Sequence, residues 1–124
     1  MLKDKEKLHE QLAGPVDDSI RAVYLLLAHA KLPDGFDIRP SGHGYIEREL
    51  RFELDERWYF SAVLNKSWVL WYFRRPALAG LAKDATDLLQ IFPQAELTKN
   101  AEVKLRIRDP ETAYAVLGWV LQNG

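Results

Sequence analysis

His43 stands between Gly42 and Gly44, with Ser41 before it and Glu47 and Glu49 beyond it. An imidazole among carboxylates can hold a divalent cation, and one beside a serine hydroxyl can take its proton and make it a nucleophile. The spacing supports neither chemistry. Glu47 and Glu49 alternate onto one face of an extended segment, whereas His43 falls in a glycine-flanked loop. No HExxH, EF-hand or other ligand-spaced motif accompanies them. A dinucleotide loop follows a strand and opens a helix, while Ser41-Gly42-His43-Gly44 follows a loop and opens a strand. The paired carboxylates Asp17-Asp18 and Asp55-Glu56 belong to a helix start and a hairpin tip, not to a cleft that would split their acidities. No catalytic residue, metal or cofactor is therefore expected. Arg39, Ser41 and His43 are kept as the candidate groups of a site in the loop 32–44, which would serve a small-molecule-binding protein or an enzyme.

A second set is basic and aromatic. Lys104, Arg106 and Arg108 alternate along one strand face, Arg74-Arg75 add charge, and Trp68 and Tyr72 supply rings. Basic groups interleaved with stacking rings make a platform for single-stranded nucleic acid. The competing arrangement is structural. Glu47, Glu49 and Glu53 form an acidic row, and a basic strand laid beside it would neutralise both rows. Laid beside the strand of Trp68 and Tyr72, the basic row would instead extend the aromatic cluster. The first placement is expected here, and with a formal net charge of −1 nucleic acid is not expected as a partner.

The third set is Tyr59, Val63, Trp68, Leu70 and Tyr72, which alternation places on one mixed face of a sheet. Either a helical layer covers them or they form a contact surface, because contiguous exposed apolar patches mark one. The reading adopted is a protein-interaction or binding module that forms a homodimer through this face, rimmed by the glutamates.

The elements that carry these residues follow from pattern. Residues 45–75 are rich in aromatic and β-branched types, without Pro or Gly, and are broken by two polar turns, the pattern of a three-stranded antiparallel meander. A three-residue loop at 55–57 pairs Leu54 with Trp58, Phe52 with Phe60 and Leu50 with Ala62. A two-residue turn at Asn65-Lys66 then puts Val69, Trp71 and Phe73 on the same face. Leu2–Ala13 reads as a short helix, loosely packed or frayed. Pro15 opens a second helix carrying Ile20, Val23, Tyr24 and Leu27. Residues 32–44 carry turn chemistry, with Phe36 and Ile38 pinning them to the core. Pro76 to Phe92 reads as a helix with Leu78, Leu81, Ala82, Leu88 and Phe92 inward. Ala95–Thr98 is a short strand, and Glu102–Arg108 alternates Val103, Leu105 and Ile107 inward. Asp109-Pro110 starts a last helix to about Gln122.

The fold class is α+β: an antiparallel sheet of a three-strand meander plus one strand or hairpin, with N-terminal, middle and C-terminal helices. The 124 residues fit one domain, 48% hydrophobic and 28% charged, without cysteine. The charged N-terminal stretch is not a secretory signal, and no apolar run is long enough for a membrane span, so a cytoplasmic protein without membrane contact is expected.

Overall fold

The computed structural model describes residues 1–43, 46–79 and 84–123, and the side chains of 43, 46, 47, 79, 84 and 123 are outside that description. The elements are α1 (Lys5–Leu12), α2 (Asp18–Ala28), β1 (Asp37–His43), β2 (Ile46–Leu54), β3 (Arg57–Leu64) and β4 (Val69–Phe73). These are followed by α3 (Arg75–Ala79), α4 (Asp84–Ile91), β5 (Glu96–Leu97), β6 (Val103–Ile107) and α5 (Pro110–Asn123). The expected positions Tyr45, Leu81 and Ala82 lie outside the described residues. Among the described residues the strands form one antiparallel sheet in the order β1-β2-β3-β4-β6-β5, an α+β fold. No helix among them is long and apolar enough to cross a membrane.

One face of the sheet carries the core. Cross-strand partners Ile38, Phe52, Phe60, Phe73 and Val103 form one row, and Leu50, Ala62, Trp71 and Leu105 the next, all buried. The five helices send buried apolar residues into this same cluster: Leu8 and Leu12 from α1, Ile20 to Ala28 from α2, Ala77 and Leu78 from α3, Leu88 from α4, and Ala113 to Val120 from α5. Local signals set the helix ends. The Asp109 carboxylate accepts from the Thr112 amide at 2.8 Å, leaving Pro110 at the first helical position, where its missing N–H costs nothing.

Four local expectations need correction. First, Arg39, Ser41 and His43 do not lie in a loop. They belong to β1, an edge strand that holds Ile38 and Pro40 inward. The Ile38 N–H points away from β2, to the Met1 carbonyl at 3.0 Å. Pro40, two residues on, shares that orientation, so its lack of an N–H removes no ladder bond. Phe36 and Ile38 are buried, as expected.

Second, the β2–β3 turn has two residues, Asp55 and Glu56, both left-handed at φ 51° and 65°, the twist a two-residue hairpin needs. Leu50 still faces Ala62 and Phe52 faces Phe60, but Glu53 faces Trp58 and Leu54 faces Arg57. A bulge at Tyr59 reconciles the two registers. Third, the β3–β4 turn centres on Lys66-Ser67, with the Asn65 amide on the Trp68 carbonyl at 3.0 Å and Leu64 paired with Val69. This shifts the pairing by two, so the faces are unchanged.

Fourth, α1 is not loosely packed. Leu8 and Leu12 are buried, and the Gln11 amide donates to the carbonyls of Ser41 at 2.8 Å and Glu49 at 3.0 Å. The Tyr24 hydroxyl in turn donates to Gln11 Oε1 at 2.7 Å. Burial pushes the Tyr24 phenol far above its ordinary value, with Glu49 adding to the rise and Arg48 opposing it. A raised folded value means that the folded chain holds this proton more tightly than the unfolded chain. The associated stability is therefore complete below the ordinary tyrosine value of about 10 and falls as pH rises beyond it. Denaturant midpoints should drop steeply above that pH in the wild type and less steeply in Tyr24→Phe. Equal slopes for the two proteins would refute the assignment.

Candidate functional site

The opposite face of the sheet carries no helix among the described residues. Its rows follow from the register: Ser41, Glu49, Val63, Leu70 and Arg106 in one, and Arg39, Arg51, Ser61, Tyr72, Lys104 and Glu96 in the next. Val63, Trp68, Leu70 and Tyr72 are half-buried, held between neighbouring polar side chains.

Tyr59 does not belong with them. The bulge turns it to the core side, where its ring meets Phe36 edge-on at 5.7 Å. The same extra residue brings Trp58, expected in the core, to the open face. There its ring lies between two guanidiniums, Arg74 at 3.6 Å and Arg51 at 4.1 Å. The bulge leaves no carbonyl stranded: the Trp58 indole N–H donates to the Phe60 carbonyl at 2.8 Å, and the Arg74 amide to that of Tyr59 at 2.9 Å. Arg51 pairs with Glu49 and Arg74 with Glu102, each at 3.3 Å. Here both guanidiniums that hold Trp58 have a carboxylate partner. Glu49, expected on an exposed rim, is 4% exposed, and its second oxygen takes the Ser61 hydroxyl at 3.4 Å.

The other end differs because β6 lies beside β4, not beside β2 as expected. The free edge of β2 is taken by β1, whose Arg39 pairs with Glu53 at 3.2 Å and supplies part of the neutralisation assigned to the basic strand. Beside β4, Val103, Leu105 and Ile107 line up with Phe73, Trp71 and Val69 and complete the core. Lys104 and Arg106 are thereby set opposite Tyr72 and Leu70, extending the aromatic cluster. Arg106 lies over the Trp68 ring at 4.6 Å, and Arg108 approaches it at 5.6 Å. Lys104 reaches Glu96 at 3.8 Å, but among the described residues neither Arg106 nor Arg108 is in an ion pair. Asp109, next in sequence, spends one carboxylate oxygen on Thr112.

These groups border an open groove of about 640 Å³, whose walls carry the cations Lys104, Arg106 and Arg108 and the carboxylates Glu96 and Asp109, together with Asn65, Trp68, Leu70 and Gln94. The Tyr72 phenol nearby is held above its ordinary value by burial first, then by Glu102 and Glu49, so at neutral pH it stays a hydrogen-bond donor.

The candidate groups of the 32–44 segment are dispersed along the β1 edge. Arg39 is bound to Glu53, and Ser41 gives its carbonyl to Gln11. The side chains of His43 and Glu47 lie outside the described residues. Among the described residues no group of three His, Cys, Asp or Glu is placed to hold a metal ion.

No family model, curated protein or solved structure matches this chain. The face therefore has to be interpreted from its own chemistry.

Proposed function

We propose that this protein is an interaction module whose working surface is the open sheet face, centred on Trp68 with Val63, Leu70, Tyr72, Arg106 and Arg108. The observation that carries this reading is the one-sided packing. Among the described residues every helix serves one face, and the other presents half-buried rings beside two guanidiniums that are in no ion pair. Trp, Tyr and Arg are the residue types that dominate contact energetics, because they bury much area and keep polar edges for a partner.

The homodimer expected from the sequence is one form of this reading, and the same composition favours it. A two-fold contact sets each surface against its own copy. Arg106 and Arg108 of one copy would then have to meet acidic groups of the other, such as the exposed Glu96, or repel their counterparts.

If the face serves binding and not folding, charge placed on it will leave the fold intact. Trp68→Glu should shift the denaturant midpoint little, at a cost of about 1 kcal/mol or less for a position that is not core. A loss of several kcal/mol would make Trp68 a structural residue and sink the reading. Sedimentation of the wild type decides the dimer. A dimer that Trp68→Glu converts to a folded monomer supports self-association, and a wild type that stays monomeric at high concentration removes it.

A further inference from the structure

We propose that the groove at the β4–β6 end of the open face binds a short single strand of nucleic acid, an inference that rests on this face being the working surface. The expectation against nucleic acid rested on a net charge of −1, which stands, and on a basic row cancelled by β2. With β6 beside β4 the β2 row does not cancel it, and among the described residues Arg106 and Arg108 are in no ion pair, although Glu96 and Asp109 line the same groove.

Their placement suits a phosphodiester chain. Arg106 lies over the Trp68 indole at 4.6 Å and is exposed, so its N–H groups are open to an anion. Arg108 adds a second exposed guanidinium on the same ring, and Lys104 a third cation already loosely shared with Glu96.

The planar groups supply the other half. A base can stack on a guanidinium plane or take its place on the indole, and Leu70 lines the same groove. Asn65 and Gln94 at the walls offer amides, each both donor and acceptor, to base edges. The volume of about 640 Å³ is that of an ordinary small-ligand site, enough for part of a strand laid across it. An acidic peptide would satisfy the charge. What favours a nucleic acid over a peptide is the Trp68 ring beside two guanidiniums, planes on which a base can stack and a carboxylate cannot.

The test is fluorescence anisotropy of labelled oligo(U) and oligo(dT), each about 12 nucleotides long, a length within the usual span of such sites. Three phosphate contacts on a single strand predict a log–log salt slope near −2, so raising salt fourfold should weaken binding roughly twentyfold. Arg106→Gln with Arg108→Gln should weaken binding at least tenfold and flatten the slope to about −0.7, the value for one remaining contact. Trp68→Ala should weaken it about tenfold, with Trp68→Phe recovering most of the loss, as stacking requires. Lys31→Gln, an exposed change outside the groove lining, should bind as the wild type does. No binding of either oligonucleotide, or a double variant that binds as the wild type, overturns the proposal. Equal competition by poly-glutamate also overturns it, yet leaves the interaction face standing. The face itself fails if no oligonucleotide, no poly-glutamate and no second copy of the chain engages it.

Discussion

Replacing Phe60 by alanine will lower the unfolding free energy by about 3–5 kcal/mol, the range for a phenylalanine removed from a packed interior. Phe60 is 1% exposed and sits at the middle of the inner face. Its ring is within 5.5 Å of Trp71, 6.0 Å of Phe73 and 6.1 Å of Phe36, centre to centre. Large rings fixed on β4 and on the entry to β1 cannot collapse into the space it leaves, so a cavity remains. Phe60→Leu, which keeps most of the volume, should cost well under half as much. Urea denaturation of the three proteins measures this. A loss below about 1.5 kcal/mol for Phe60→Ala would mean that the site relaxes like a surface position.

Gln11→Leu will cost about 2–4 kcal/mol, although it swaps a polar side chain for an apolar one in a buried site. Gln11 is 3% exposed, and its amide binds two main-chain carbonyls, one on β1 and one on β2, while its carbonyl oxygen takes the Tyr24 hydroxyl. Leucine would leave all three buried groups without that partner, each worth about 1–3 kcal/mol where water cannot replace it. Adding Tyr24→Phe removes one of the stranded groups. The double variant should therefore be less destabilised than the sum of the singles, with a coupling of about 0.5–2 kcal/mol. Additive losses would show that the two side chains do not act as a unit. The result also bears on how the sheet edge is held, because Gln11 is the side chain through which α1 grips both β1 and β2.

Little of this second network could be foreseen from the chain. Gln11 lies in a charged stretch, Leu2–Ala13, whose composition suggests loose packing, and nothing local marks one amide as buried. The basic set was visible as a ladder at Lys104, Arg106 and Arg108. Its meaning was not, because an alternating strand looks the same whichever neighbour it acquires.

Apart from Trp58, the inward positions of the meander were determined by the sequence alone. Alternation is a property of consecutive residues, so Leu50, Phe52, Phe60, Ala62, Trp71 and Phe73 declared a common face before any neighbour was known, and the face survived a shift of two in the β3–β4 turn. The start of α5 was equally local, written in Asp109-Pro110. Strand order was decided only in three dimensions, since it depends on which sheet edges remain free. The Pro- and Gly-bearing segment before the meander occupied one edge as β1, because Pro40 needs no ladder bond on its outer side, and this sent β6 to the other edge beside β4. The bulge at Tyr59 was likewise decided by tertiary structure. A single extra residue leaves no mark in an alternating pattern, yet it moved Tyr59 onto Phe36 and placed Trp58 between Arg51 and Arg74. Those two events, an edge already taken and one residue too many, separated the end of the open face where Glu49 and Glu102 pair with Arg51 and Arg74 from the end that carries Arg106 and Arg108, which among the described residues are in no ion pair.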